Sequence, residues 1–143
     1  SRLLKEWSTA DRTIRNIVAA TLARRQGVAI ESVVVGEDSV TESLSRSSAA
    51  DFGLRAELPF VEQLVAAVAD EQNMVEKERK IDLIRWSVAS ELSTFDYFSL
   101  DAVLAYLVKV NLVARWTLLD VKAGRAMLDK LVAELDGKQH IEI

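Results

Sequence analysis

The sequence contains no cysteine, so disulfide bonds, thiolate metal sites and cysteine nucleophiles are all excluded. Its only histidine, His140, stands three residues before the last position and is interpreted as an exposed, incidental side chain. A zinc site needs three or four histidine, cysteine or carboxylate ligands, and a catalytic triad needs a histidine beside its serine. We therefore predict no catalytic residue, no metal site and no cofactor.

Glycine and proline are scarce as well. The five glycines are too widely spaced for a phosphate-binding loop or a dinucleotide-binding motif. The triplet Asp51-Phe52-Gly53 spells the metal-binding motif of kinases, but the other kinase motifs are missing and 143 residues are too few for that fold. The single proline, Pro59, is expected at the start of a helix.

Long apolar runs are also missing, because none approaches the roughly 20 residues that a membrane-spanning helix requires. The most apolar stretch, residues 100–119, is interrupted by Lys109, Asn111 and Arg115 and is predicted to be a buried helix of a soluble protein. We predict a single helical domain over residues 1–143, since this length suits one core. Because the chain begins at Ser1, without methionine and already in a helical pattern, we expect it to be the C-terminal part of a longer chain.

What the sequence does contain is apolar residues at steps of three and four, the spacing of one face of an α-helix. The first helix is predicted from Leu3 to Gly27, or from Ser8 if the capping box of Ser8 and Asp11 starts it. Residues 30–35 are rich in β-branched side chains but have no second strand to pair with, so a short helix or an extended connector is preferred. The later helices are predicted from Ser39, from Pro59 to residue 71, from Met74 to Leu92, from Ser99 to Gly124 and from Leu128 to Gly137.

The predicted fold class is therefore all-α, a multi-helix bundle of amphipathic helices. Two parts of the chain share one plan, a long amphipathic helix, a glycine and a shorter amphipathic segment. They are residues 12–34 and 109–132. This weak helix–Gly–helix similarity is compatible with an internal duplication and equally with coincidence, since such units are common.

Charge is distributed unevenly along the chain. Residues 1–27 carry six basic and two acidic side chains, whereas residues 28–76 carry two basic and ten acidic ones. Binding to nucleic acid is not predicted, because the net charge of the whole chain is −4. We expect the arginines to contact an acidic protein surface, including the chain's own middle segment. The candidate interface residues are Arg12, Arg15, Arg24, Arg25, Arg79 and Arg85.

Two further patterns allow more than one interpretation. Glu78 and Asp82 stand one helical turn apart, as paired acids in a hydrolase would, but three neighbouring cations favour a surface salt-bridge network. Tryptophan is common both in cores and at interfaces, and a core position is favoured for each of the three tryptophans. They are Trp7, Trp86 and Trp116.

Two ordered segments resemble the C-type (also called d-type) central-stalk component of V-type ATPases. The first is Asp11-Arg12-Thr13-Ile14-Arg15-Asn16-Ile17, followed by Arg24-Arg25-Gln26-Gly27. The second begins at Tyr97-Phe98-Ser99-Leu100-Asp101 and continues through Lys109 and Arg115 to Lys122-Ala123-Gly124. The sequence is still more similar to an uncharacterised bacterial family associated with V-type ATPase operons. That similarity rests on Asp51-Phe52-Gly53-Leu54, Glu76-Lys77-Glu78-Arg79-Lys80-Ile81-Asp82 and Arg85-Trp86, in order with the other segments.

The resemblance implies a non-catalytic structural component of a V-type ATPase that links the central rotor shaft to the membrane ring. Its partners would be other ATPase subunits, and it would lie in the cytoplasm against the inner face of the membrane without inserting into it. The alternative is a cytosolic helical adaptor or regulator of protein–protein interactions that is unrelated to rotary ATPases. A hydrolase that uses Glu78 and Asp82 is the third hypothesis.

Overall fold

A computed structural model of the chain describes residues 2–70, 73–93 and 100–141. The described residues form six α-helices and one short 3₁₀ helix and include no strand, which confirms the predicted all-α fold. The elements are α1 Arg2–Gln26, the 3₁₀ helix Ile30–Ser32, α2 Ser39–Arg46, α3 Val61–Ala69, α4 Met74–Leu92, α5 Leu100–Leu119 and α6 Val121–Ile141.

The first helix, α1, begins at Arg2, ahead of the alternative start at Ser8. It ends where the sequence predicts, because Gly27 takes a left-handed φ of 70° and the Val28 N–H donates to the Ala23 carbonyl at 2.9 Å. This backbone bond satisfies one of the last carbonyls of the helix, and glycine adopts the required φ without a steric cost.

The connector after α1 contains the 3₁₀ helix, so the preference for a short helix over a strand is confirmed. The next helix, α2, is capped by Asp38 and not by the predicted Ser39. The Asp38 carboxylate accepts a hydrogen bond from the Thr41 N–H at 2.8 Å, and the Thr41 hydroxyl accepts one from the Asp38 N–H at 2.9 Å. This reciprocal pair is a capping box, which an aspartate provides as well as a serine does.

Helix α3 begins at Val61, two residues after Pro59, and ends at Ala69. Its predicted end at residue 71 lies outside the described residues. The same is true of Ser99, where the next helix is predicted to start, and of residues 94–98 before it.

The two last helices differ from the prediction. Helix α5 ends at Leu119, and α6 starts at Val121 and passes through Gly124 and Gly137 without a break. The boundary is set by Asp120, whose carboxylate accepts from the Lys122 N–H at 3.1 Å and the Ala123 N–H at 3.3 Å, as an N-cap does. The helix–Gly–helix plan therefore holds at Gly27 but not at Gly124, so the similarity on which a duplication was based is absent here.

The chain divides into two compact units, and the single domain over residues 1–143 stays a prediction. We call Ser8–Ser87 the central unit, and Ser1–Trp7 with Val88–Ile143 the terminal unit. The buried apolar side chains of the central unit come from its four α-helices and from the loop between α2 and α3, and they include Ile14, Ile17, Leu44, Phe52, Leu54, Val61, Leu64, Val68, Ile81 and Trp86. The described residues of the terminal unit that are buried and apolar include Leu3, Val88, Ala105, Leu112, Trp116, Met127 and Leu131.

A buried amide of α1 fixes the connector between the 3₁₀ helix and α2. Asn16 is 4% exposed. Its Nδ2 donates to the Val35 carbonyl and its Oδ1 accepts from the Val35 N–H, both at 2.8 Å. One side chain thus satisfies both backbone polar groups of Val35.

We expect Asn16→Ala to lower the free energy of unfolding by about 2 kcal/mol, because two hydrogen bonds are lost at a half-buried backbone. Urea unfolding and hydrogen exchange at the Val35 amide measure the two effects. Thr21→Val is the control, since its hydroxyl bonds the Ile17 carbonyl within α1 at 2.7 Å and holds no connector. Unchanged exchange at Val35 in Asn16→Ala would contradict the assigned role.

Candidate functional site

Arg12 and Arg15, the first two predicted interface arginines, form ion pairs within the central unit. Arg12 Nη2 lies 3.3 Å from Asp38 Oδ2, which belongs to the acidic middle segment of the chain. Arg15 pairs with Asp11 one turn earlier on α1 at 3.0 Å, and its side chain is 72% exposed. Exposed pairs of this kind contribute little stability, so both guanidinium groups are accessible to solvent and to other charges.

Arg24 holds the loop between α2 and α3. Its two terminal nitrogens donate to the Ala49 carbonyl at 2.7 Å and to the Ser47 carbonyl at 2.6 Å. Its guanidinium carbon also lies 3.9 Å from the centre of the Phe52 ring, a cation–π distance. Phe52 is buried and has a φ of 55°, which is rare for a residue other than glycine. These contacts give Arg24 a structural role inside the chain.

Arg25 has a similar position at the end of α1. It donates to the Val68 carbonyl near the end of α3 at 3.2 Å. Three of the four predicted interface arginines on α1 therefore contact residues of the middle segment, and Arg15 contacts its own helix. Contact with a partner through these arginines stays a prediction.

The two predicted interface arginines of α4 differ in burial. Arg79 pairs with Glu76 at 2.9 Å, and the two side chains are 39% and 35% exposed. Arg85 pairs with Asp82 at 2.7 Å and with Asp11 of α1 at 3.1 Å, and its side chain is only 15% exposed. Asp82 is fully buried. Arg85 therefore joins α4 to α1 through two carboxylates and presents little surface to a partner.

The predicted acid pair is not a surface network. Asp82 is buried and ion-paired, whereas Glu78 is half-buried. The Asp51-Phe52-Gly53 triplet forms a local turn, in which the Asp51 carboxylate accepts from the Gly53 N–H at 2.9 Å. Among the described residues no group of three or more histidine, cysteine or carboxylate side chains is placed to hold a metal ion.

The predicted core position is confirmed for two of the three tryptophans. Trp86 is 1% and Trp116 is 0% exposed, so both are core residues. Trp7 is half-buried. Its indole lines a small apolar groove of the terminal unit.

The solvent-exposed side of α5 in the terminal unit carries several large apolar side chains. Five large apolar residues on α5 are exposed: Val103 at 54%, Tyr106 at 40%, Leu107 at 49%, Leu118 at 89% and Leu119 at 62%. Val103, Leu107, Val110, Ala114 and Leu118 follow one another at steps of four and three, so they share one face of the helix. We call this face, with Tyr106, the α5 apolar face.

One charged residue of α5 is buried, whereas Arg115 on the same helix is exposed. Lys109 is 4% exposed, and its ammonium lies 2.6 Å from Glu134 Oε2 on α6. A buried lysine requires such a partner, since an isolated ammonium is costly to desolvate. Residues 100–119 are therefore not the buried helix that the sequence predicts, because an apolar face is exposed while the lysine is buried.

An apolar groove adjoins this face. Its cavity is about 120 Å³, and its lining includes Leu3, Leu4, Trp7, Leu104 and Leu107. For comparison, an apolar cavity of about 150 Å³ accommodates a benzene ring. The groove is thus large enough for one aliphatic or small aromatic side chain.

One feature of the sequence, the scarcity of charged residues in α5, indicates the α5 apolar face. A soluble helix that is apolar on all sides is either buried or covered by a partner. After Asp101, the only charged residues of α5 are Lys109 and Arg115. Periodicity alone assigned the whole helix to the core, because it does not show how many neighbours the helix has.

Among the described residues, no helix is both long enough and apolar enough to cross a bilayer. A family model described as "Protein of unknown function (DUF2764)" matches residues 1–138 of the chain. Comparison with curated proteins and with solved structures found no match.

Proposed function

This chain belongs to the DUF2764 family, and we propose that it is a non-catalytic structural component of a V-type ATPase, linking the rotor shaft to the membrane ring. The observation that carries the proposal is the α5 apolar face. Large exposed apolar patches on soluble proteins are interaction sites more often than not, because water contact with them is unfavourable. The groove beside Leu107 adds a recess that a partner side chain can fill.

The rotary motor as the partner is supported by the resemblance of the ordered segments. In the structure their charged residues form the frame of the central unit: Arg24 holds the α2–α3 loop, and Arg85 joins α4 to α1. Residues that hold helices together suit a part that transmits torque, since such a part needs stiff elements more than a pocket. The exposed residues of the α5 apolar face would then supply the contact with the shaft or ring.

A stalk component of this kind would lie in the cytoplasm, against the inner face of the membrane and without inserting into it. Its interfaces would have to be extensive, and stable interfaces bury about 1,600 Å² in total. The α5 apolar face and the groove would form the centre of one such interface, because binding energy concentrates in desolvated apolar contacts.

The test is a pull-down from native membranes with the tagged full chain and with Leu107→Glu. We expect the unchanged chain to recover rotary ATPase subunits, and Leu107→Glu to recover at least about tenfold less, since a charge would enter the apolar contact. Leu107 is half exposed, so the folded state should tolerate the substitution, which circular dichroism checks.

Ala126→Glu is the matched control, because it places the same charge at an exposed position of α6. It should recover as much as the unchanged chain. Recovery of no ATPase subunit by the unchanged chain would overturn the proposal. Recovery of soluble complexes only, with membranes removed, would favour the helical adaptor in its place.

A further inference from the structure

Helix α6 carries a second apolar stripe, separate from the residues that pack within the unit. Val121, Arg125, Leu128, Val132 and Leu135 follow one another at steps of four and three over two heptads. Alternating steps of four and three are the pattern of a coiled-coil seam. We call these five residues the α6 seam.

The seam is exposed along its length. Val121 is 71%, Leu128 46%, Val132 48% and Leu135 38% exposed. The buried residues of α6, Gly124, Met127 and Leu131, lie on a neighbouring side of the helix. Seam and buried side together make α6 apolar over a wider arc than its contacts within the unit require.

The charges on and beside the seam are sorted by sign. Lys122 and Arg125 lie in its first half, and Asp129 and Asp136 lie in its second half. All four are exposed. The remaining cation of this stretch, Lys130, lies about 180° around the helix from Val121 and so faces away from the seam.

We propose that the α6 seam pairs with the α6 seam of a second copy of this chain, antiparallel and about a two-fold axis near Leu128. Opposed directions bring Lys122 of each seam opposite Asp136 of the other, which gives two pairs of opposite charge, while the two copies of Asp129 meet near the axis. The pairing is independent of the rotary ATPase proposal, which rests on α5.

Parallel pairing does not have this property. In a parallel pair the flanking charges of one seam would face the Gly124 and Leu131 side of the partner, so no pair of opposite charges would form. A two-fold antiparallel contact is also isologous, which means that both copies use the same surface. The assembly therefore stops at a dimer, because neither seam stays exposed for a third copy. The two Lys122–Asp136 pairs therefore favour the antiparallel direction.

The first test is the mass of the purified full chain in solution, by sedimentation or light scattering over a range of concentrations. We expect a species of twice the 15.9 kDa chain mass. Leu128→Glu should weaken association about a hundredfold, because the substitution occurs twice across the axis and each copy costs about tenfold. The control Ala126→Glu, away from the seam on the same helix, should leave the dimer unchanged.

The second test reports direction. Because the chain has no cysteine, Lys122→Cys and Asp136→Cys each introduce a unique thiol. Under mild oxidation we expect the mixture of the two variants to form the mixed disulfide, and neither variant alone to cross-link to itself. A Lys122→Cys variant that cross-links to itself would contradict the antiparallel register and overturn the proposal.

A monomer at all concentrations would also overturn it, and the α6 seam would then bind another occupant. The experiments distinguish failure of the α6 pairing from failure of the rotary ATPase proposal. A dimer that recovers no ATPase subunit leaves the α6 pairing intact, and a monomer that recovers ATPase subunits through Leu107 leaves the α5 contact intact.

Discussion

Replacing Arg85 with methionine is expected to lower the free energy of unfolding by about 3–5 kcal/mol, the usual cost of removing one partner from a buried ion pair. Asp82 is fully buried and lies 2.7 Å from the Arg85 guanidinium, which also reaches Asp11 on α1 at 3.1 Å. Because methionine keeps most of the apolar volume of the arginine side chain, the loss of stability measures the removed charge and not a new cavity.

Arg79→Met is the matched control for this experiment. Arg79 stands on the same helix and pairs with an acid at the same spacing of three residues, but its pair with Glu76 is exposed. We expect a change within about 0.5 kcal/mol, as for most surface pairs. Urea unfolding followed by circular dichroism measures both variants. Equal losses would show that burial does not set the difference.

The same pair of variants separates two roles for the predicted interface arginines. A residue whose main role is contact with a partner should affect binding and leave unfolding unchanged. We expect Arg85 to behave in the opposite way, because its contacts join α4 to α1 inside the central unit. Arg79 is the better candidate for contact with a partner, since it is more exposed.

The second large effect is expected at the α5–α6 turn, where Gly124→Ala should lower the free energy of unfolding by about 3 kcal/mol. A Cβ atom at Gly124 would lie 2.5 Å from the Thr117 backbone nitrogen and 2.6 Å from its Cα. Real Cβ atoms do not approach so closely, and the obstacle is backbone, so the two helices must move apart. The gain in helix propensity, about 1 kcal/mol, is too small to offset this.

Gly137→Ala provides the control within the same helix. A Cβ atom at Gly137 meets nothing within 4 Å, so only the propensity difference remains. The same substitution should therefore stabilise the chain by about 0.5–1 kcal/mol at position 137 and destabilise it at position 124. Thermal and urea unfolding of both variants test the sign. A stabilising Gly124→Ala would contradict the close packing of α5 on α6.

Local chemistry explains which elements were predictable. Gly27 ends α1 because a left-handed residue is needed there, and glycine is the residue that adopts it freely. At Gly124 the same residue type serves close packing within a helix, so the rule that places glycine at helix ends gave a wrong boundary. The actual boundary is at Asp120, which is the N-cap of α6. Apolar residues continue on both sides of Asp120, so the apolar pattern alone does not show a boundary there.

The candidate surfaces were less predictable than the helices. The arginines were singled out from their charge, but charge does not reveal a contact such as that of Arg24 with the Ser47 and Ala49 carbonyls. The α5 apolar face was assigned to the core, because periodicity shows that a helix has an apolar side and not whether that side is covered. Exposure depends on which elements lie nearby, and that is a tertiary property.

By itself the sequence determined the all-α class, the positions of most helices and the absence of cysteine chemistry, since these depend on residue type and on spacing along the chain. Only the tertiary structure decided that Asp82 and Lys109 are buried charges, that Arg24 and Arg85 hold the chain together, and that α5 and α6 expose apolar residues. The physical reason is that burial and pairing depend on residues far apart in sequence, which local patterns do not connect.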